Sequence, residues 1–466
     1  MKTLPNVVPT PEQATVIDND APGFWLIRGA AGSGKTTTAL LRLKFLVRYW
    51  RDRREDLGLV GPVRVLVLTF NRTLRGYIEE LARQQIQAGP EVALQVTTFG
   101  SWAQSLLGRV VLDRTPRDAK LQQLAGDAFP WPPNFLADEV DYVLGRFLPD
   151  DLLRYVETER TGRGGSPALQ RPAKERLLGQ VIEPYNAWKA EQQVWDWSDM
   201  AAHLAAEQMA APYDVVIVDE TQDFSANQIR AVVNHLADDF VCTFIRDTTQ
   251  RIYPNFFAWN EVGLAIPVAQ NRHLAINYRN TRQIAAFARP LVDGIENIED
   301  AAIPDFTSCR RDGPKPIVIR GRYGLQAAWA IDYLRRSVEE DETVAFLHPK
   351  GGGWFAELRR QLDASGVPWV SLTRESEWPQ GEDRVALSTM HSAKGLEFDQ
   401  VILLGYDAET VDDGDEVDDV RTQLQRRLLA MAVGRARKGV VLGYRSDAES
   451  PVIDILEEGT YEAVDL

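Results

Sequence analysis

The chain has 466 residues, 44% hydrophobic and 26% charged, an ordinary globular composition with room for about two to four domains. Its formal net charge of −15 argues against a uniformly basic nucleic-acid-binding surface, and its two cysteines, Cys242 and Cys309, make neither a disulfide framework nor a metal site. No apolar run reaches the roughly 18 residues of a transmembrane helix, and MKTLPNVVPTPEQ has no apolar signal-peptide core, so a cytoplasmic protein without a membrane partner is expected.

In chain order, the first strong element is a short strand, Phe24 to Ile27, followed by Gly29-x4-Gly34-Lys35-Thr36, the phosphate-loop pattern. Leu40, Leu43, Leu46 and Val47 then recur at helical spacing. Glycines let backbone N–H groups turn inward on phosphate oxygens, and the helix N-terminus adds its dipole. Lys35 is placed to reach the β and γ phosphates and Thr36 to hold Mg²⁺, with Gly32, Ser33, Gly34 and Thr37 beside them. GxGxxG is absent, which disfavours a dinucleotide fold. Strands are expected at 63–69 and 92–97, and residues 110–205 carry helical signals with no good strand.

The run VVIVDETQDF (215–224) reads as a central parallel strand buried on both faces, with carboxylates at its end. Strands often end in acids. In a parallel sheet, however, ligands sit at the carboxyl ends. With a phosphate loop present, Asp219 becomes a Mg²⁺ ligand and Glu220 the base for an attacking water. Further strands are expected at 214–219, 240–246, 343–347, 384–389, 400–404 and 439–444, and their alternation with helices predicts parallel α/β sheets. Residues 407–419 hold eight carboxylates and no base, a solvated flexible loop; the remainder can still carry a basic groove.

Gln222 after the acidic pair gives a DExQ arrangement that resembles the UvrD/Rep family of superfamily 1 helicases. Other segments resemble that family's motifs in order: TPEQ (10–13) the Q motif, LTFNRTL (68–74) Ia, TTFGSW (97–102) Ib, FIRDTTQRIY (244–253) III, INYRN (276–280) IV, LSTMHSAKGLEFDQVILL (387–404) V and RRLLAMAVGRAR (426–437) VI. The resemblance implies two RecA-like domains of parallel sheets flanked by helices, with ATP in the cleft between them. The expected division is 1–110 with 206–275 for the first domain, 111–205 for a small helical insert within it, and 276–466 for the second. Only about 105 residues separate Asn280 from Val385, so the second large helical insert of longer relatives is expected to be missing.

The resemblance also implies roles. Arg279 and Arg435 become arginine fingers, Gln250 a γ-phosphate sensor or water-orienting residue, and Gln13 and Tyr278 contacts to adenine. Glu397 falls on the ribose and Arg42 beside the base. Phe70, Thr98 and His391 match positions that contact single-stranded DNA, and Trp102, Trp259 and Phe256 are added as base-stacking candidates. Departures occur: Arg246 precedes Asp247 where Gly is usual, Asn255-Phe256 replaces an aromatic-Arg pair, Gly100 stands for His, and Ala430 and Gly434 stand for Tyr and Thr. The implied activity is an ATP-driven, 3′ to 5′ translocase or helicase on single-stranded DNA. The alternative is a regulatory DNA-dependent ATPase subunit, working with a nuclease or another repair or phage-defence protein.

Overall fold

The computed structural model describes residues 9–29, 32–56, 58, 60–69, 75–76, 79, 90–109, 111–126, 129, 131, 133–158, 169–247, 257–274, 276–295, 308–372, 379, 383–393, 396–411 and 420–466. Two parallel sheets organise them. The first has six strands: β1 (Gly23–Gly29), β2 (Val63–Thr69), β3 (Val92–Thr98), β4 (Tyr213–Val218), β5 (Leu236–Asp247) and β6 (Asn271–Leu274), in the order β3-β2-β4-β5-β1-β6. Every pairing is parallel. All six residues of β4 are buried, as its unbroken apolar run requires of a strand covered on both faces.

Helix α1 (Pro11–Ile17) precedes β1, and α2 (Lys35–Asp56) follows it. Leu40, Leu43, Leu46 and Val47 of α2 pack on one face of the sheet with Val65, Val67, Val215 and Ile217. α3 (Phe99–Leu107) opens directly from β3, and Trp102 and Ala103 cover the opposite face with Leu66, Leu68 and Val216. The sheet is thus wound on both sides.

The helical stretch expected from 110 to 205 is present. α4 (Arg114–Ala125), α5 (Pro133–Arg146), α6 (Arg171–Leu177) and α7 (Glu183–Gln192) share a core of their own, including Leu121, Val140, Val143, Tyr155, Val181 and Tyr185. α8 (Trp197–Ala206) leads back to β4. The buried Lys189 ammonium ties α7 to the start of α8, lying 2.9 Å from Asp196 and 2.7 Å from Asp199. α9 (Ala226–Asn234) anchors the helical segment to the sheet layer: buried Asn227 donates to the carbonyls of Leu144 and Phe147, both at 2.9 Å.

The second sheet is also entirely parallel, in the order β13-β7-β12-β11-β8-β10-β9. Its strands are β7 (Ile317–Arg320), β8 (Val344–His348), β9 (Trp369–Ser371), β10 (Val385–Thr389), β11 (Phe398–Leu403), β12 (Ala436–Tyr444) and β13 (Glu462–Asp465). α11 (Tyr323–Ser337) and α12 (Phe355–Ala364) cover one face, while α10 (Arg282–Ala288) and α13 (Val420–Val433) contribute to the other. The described residues between Asn280 and Val385 build α10, β7, α11, β8, α12 and β9, and no separate helical domain stands among them.

Every strand read from the sequence is present, although β5 begins four residues earlier than the expected 240. β6, β7, β9 and β13 were not anticipated. They have three or four residues each, and β6, β9 and β13 lie at sheet edges. The solvated flexible loop expected over 407–419 is corrected at its start, where Asp407, Thr410 and Val411 are buried and Asp407 accepts from the Arg445 N–H at 2.6 Å; 412–419 lie outside the described residues.

Candidate ATP cleft and nucleic-acid contacts

The phosphate loop joins β1 to α2, where Gly32 and Gly34 have φ of +85° and +78°, backbone that favours glycine. Lys35 donates to the Gly29 carbonyl at 2.9 Å, folding its side chain back over the loop. Thr36 donates to Asp219 at 3.1 Å, joining the loop to the end of β4. Lys35 also acts electrostatically on Asp219. Thr37 is half-buried, and Ser33 is buried with no hydrogen-bond partner for its hydroxyl.

Asp219 is buried, and its own carboxylate accepts from the Glu220 N–H at 2.9 Å. Burial first, and the adjacent Glu220 second, push its carboxyl up to about 7. A buried carboxylate crowded by a second one and flanked by a hydroxyl is a hard-oxygen donor set, which fits a divalent cation such as Mg²⁺. Glu220 has φ of +52°; Gln193 is the only other non-glycine described residue with positive φ. Such backbone costs about 1–2 kcal/mol and concentrates at functional sites. Here a 3₁₀ turn, Thr221–Asp223, fixes it, with Asp223 donating its N–H to the Glu220 carbonyl at 2.9 Å. Gln222 donates to the Glu220 carboxylate and orients it.

Gln13 caps α1 and reaches the loop. Its side chain accepts from the Thr10 N–H at 2.9 Å and donates to the Ser33 carbonyl at 3.3 Å. Its carboxamide is therefore engaged by protein on both ends.

Across from the loop, the turn after β6 carries Asn277 to Asn280. Tyr278 donates its N–H to the Gly32 carbonyl at 3.0 Å, and its side chain is half-buried. A Cβ on Gly32 would collide with the Asn277 carboxamide and come within 3.1 Å of the Arg279 Cβ. Arg279 pairs with Glu397 and donates to the Gly434 carbonyl at 3.3 Å. Burial raises the Glu397 carboxyl, but Arg279, followed by Arg437 and Arg435, holds it below its ordinary value. Arg435 itself is buried, immediately after Gly434. Arg279, Arg435 and Glu397 thus form one cluster, and Glu397 meets a finger candidate there.

Two sequence assignments are corrected by burial. Arg42 is fully buried under Trp25, its guanidinium 4.2 Å from the ring centre. It donates to the Val16 carbonyl at 2.6 Å and also to the Asn19 carbonyl, and burial lowers its pKa to about 10. It clamps the α1–β1 connection to α2 and has no exposed face for a base. Trp102 is also fully buried, edge-on to Phe99, with its indole donating to the Tyr213 hydroxyl at 3.1 Å. Its enclosure rules out stacking on a base.

The other nucleic-acid candidates vary. His391 is exposed. Thr98 is the N-cap of α3, accepting from the Ser101 N–H at 3.3 Å. Trp259 is half-buried, 4.9 Å from Phe244 and 5.7 Å from Phe257 between ring centres. Phe70, Gln250 and Phe256 lie outside the described residues. Gly100 has a local reason: a Cβ there would lie 3.1 Å from the Trp197 ring. The sequence reading missed Asn277 and Asn280, which frame Arg279. Their flanking position in INYRN was the available signal.

No described helix is long and apolar enough to cross a membrane. Comparison with known proteins adds identity. The chain is 21% identical to DNA helicase IV of Escherichia coli (strain K12), over 96% of this chain and 70% of that protein. It is similar to the crystal structure of the C-terminal domain of a possible DNA helicase from Lactobacillus plantarum WCFS1, at 21% identity and a TM-score of 0.31, covering 40% of this chain and 98% of that one. The UvrD/REP helicase N-terminal domain model matches residues 10–258, and the UvrD-like helicase C-terminal domain model matches 367–447. On those two matches, the chain belongs to the UvrD/REP helicase family and is an ATP-hydrolysing DNA helicase.

Proposed function

We propose that the protein is a single-stranded DNA translocase or helicase, moving 3′ to 5′, in which ATP hydrolysis between two RecA-like domains drives movement. The proposed division is 1–110 with 206–275 for the first domain, 111–205 for its helical insert and 276–466 for the second. The observation that carries the reading is the 3.1 Å contact of Thr36 with Asp219, which sets the phosphate loop against the strand end bearing Glu220.

In this reading Lys35 and the loop N–H groups bind the phosphates of ATP. A Mg²⁺ ion, held by Thr36 and Asp219, would neutralise charge on the phosphate oxygens. Glu220, oriented by Gln222, accepts a proton from the attacking water. Arg279 and Arg435 stabilise charge developing on the γ-phosphoryl group, an effect worth about 10³–10⁵ in rate. Arg279 exchanges Glu397 for phosphate as it does so. Gln250 orients the water, and Tyr278 lies against adenine.

Because the fingers belong to the second domain and the loop to the first, hydrolysis requires the cleft to close. Thr98, His391, Phe70 and Trp259 are the proposed DNA contacts. A partial duplex with either a 3′ or a 5′ single-stranded tail tests the reading. ATP-dependent unwinding only from the 3′ tail supports it; unwinding only from the 5′ tail refutes the direction. DNA-stimulated hydrolysis without unwinding of either substrate would favour the regulatory-subunit reading, which the absence of a second helical domain among the described residues supports.

A further inference from the structure

We infer that Asn280 is a positioning residue that fixes the backbone of the Arg435 finger against the turn carrying Arg279, an inference resting on the finger roles proposed for Arg279 and Arg435. Asn280 is fully buried and follows Arg279 directly. Its side-chain NH₂ donates to the carbonyl of Gly434 at 3.2 Å and to that of Ala436 at 2.7 Å. Those carbonyls stand on either side of Arg435. Its side-chain oxygen accepts from the Asn277 NH₂ at 2.9 Å.

Asn277 completes the frame. Its side-chain oxygen accepts from the backbone N–H of Arg279 at 3.0 Å and of Asn280 at 3.1 Å, fixing the turn on which the first finger stands. Arg279 donates to the same Gly434 carbonyl that Asn280 holds. The backbone of one finger and the flanks of the other are therefore set by a single pair of carboxamides. The frame also touches the phosphate loop, since Tyr278, between them, donates to the Gly32 carbonyl at 3.0 Å.

Every donor and acceptor of the Asn280 side chain is thus assigned to this frame. Aspartate could not replace it, because a carboxylate would face two carbonyl oxygens. Alanine would leave the Gly434 and Ala436 carbonyls without this donor and free the Arg435 segment to shift. A shift of about 1 Å in a catalytic group is enough to cost roughly 10²-fold in rate.

The test is a double-mutant cycle on the full chain: Asn280→Ala, Arg435→Ala and the double variant, with DNA-stimulated kcat and the affinity for a fluorescent ATP analogue measured for each. Asn280→Ala is expected to lower kcat roughly 10²-fold and to leave nucleotide affinity within about two-fold. Arg435→Ala is expected to lower kcat by about 10³-fold or more, and the double variant to be no slower than Arg435→Ala alone. Losses that multiply would show that Asn280 acts independently of the finger and would overturn the inference. A wild-type kcat in Arg435→Ala would instead overturn the finger reading beneath it. Thermal melts run alongside. If Asn280→Ala melts below the assay temperature, Asn280→Ser, which keeps one donor, carries the same cycle; it is expected to give a kcat between wild type and Arg435→Ala, with the same non-additivity.

Discussion

Replacing Arg42 by Met separates two accounts of a residue that sits about two turns into the helix after the phosphate loop. If Arg42 lay beside the adenine, its loss would weaken nucleotide binding and leave the fold intact. The structure instead makes it a buried clamp that donates to the Val16 and Asn19 carbonyls and lies 4.2 Å from the Trp25 ring centre. Methionine fills much of the same space and offers no donor. The buried Val16 carbonyl then loses its partner at about 1–3 kcal/mol and the half-buried Asn19 carbonyl at less, and the desolvated cation–π contact adds about 1–2 kcal/mol. Relief of the burial cost, which already lowers the guanidinium pKa to about 10, offsets part of this. A net loss of about 3 kcal/mol follows, and at roughly 2–4 °C per kcal/mol the first domain should melt about 10 °C lower. The assay is a thermal melt paired with a fluorescent-nucleotide titration at a temperature where the variant is folded. A large drop in Tm with unchanged affinity supports the clamp. An unchanged Tm with affinity weakened ten-fold or more would refute it.

Three further outcomes follow from burial and contact. Trp102→Phe removes the indole donor to Tyr213 and should cost about 1 kcal/mol of stability while leaving the Kd for single-stranded DNA unchanged; a loss of the roughly 1–3 kcal/mol of a base stack would restore it as a DNA contact. Gly32→Ala drives a Cβ into Asn277 on backbone with φ of +85°, so ATP turnover should fall at least ~10-fold without global unfolding, and a wild-type rate would show that the loop and the Asn277 turn do not meet in catalysis. Asn227→Ala removes the donor to Leu144 and Phe147, and should cost about 2 kcal/mol and speed proteolysis within the helical segment; an unchanged cleavage rate would mean that α9 does not anchor it.

The sheets were legible because their central strands are long apolar runs. VVIV must be covered on both faces, and β4 is. The strands that escaped notice are short, and one, β6, reads NRHL, with little apolar pattern to betray it. The phosphate loop and acidic pair were legible because each follows an apolar strand, and in a parallel sheet such strands carry their ligands at one carboxyl edge; the structure joins Thr36 to Asp219 there. Burial was not legible residue by residue. Arg42 after a phosphate-loop helix turn, and Trp102 within a DNA-contact motif, both have the chemistry of a ligand contact. Which way each side chain points depends on helix packing that residue identity does not specify. Asn277 and Asn280 were overlooked for the converse reason: small amides beside an arginine carry no charge signal, and only the fold shows that they hold the Gly434–Ala436 backbone.

Glu220, held in left-handed backbone beside Asp219, is the residue we propose to activate water for a DNA-driven motor. The most direct measurement is the ATPase rate of the full chain with and without single-stranded DNA, beside Glu220→Gln. Strong stimulation in the wild type, lost in Glu220→Gln while the nucleotide still binds, is the expected result. Equal stimulated rates in the two proteins would contradict the account.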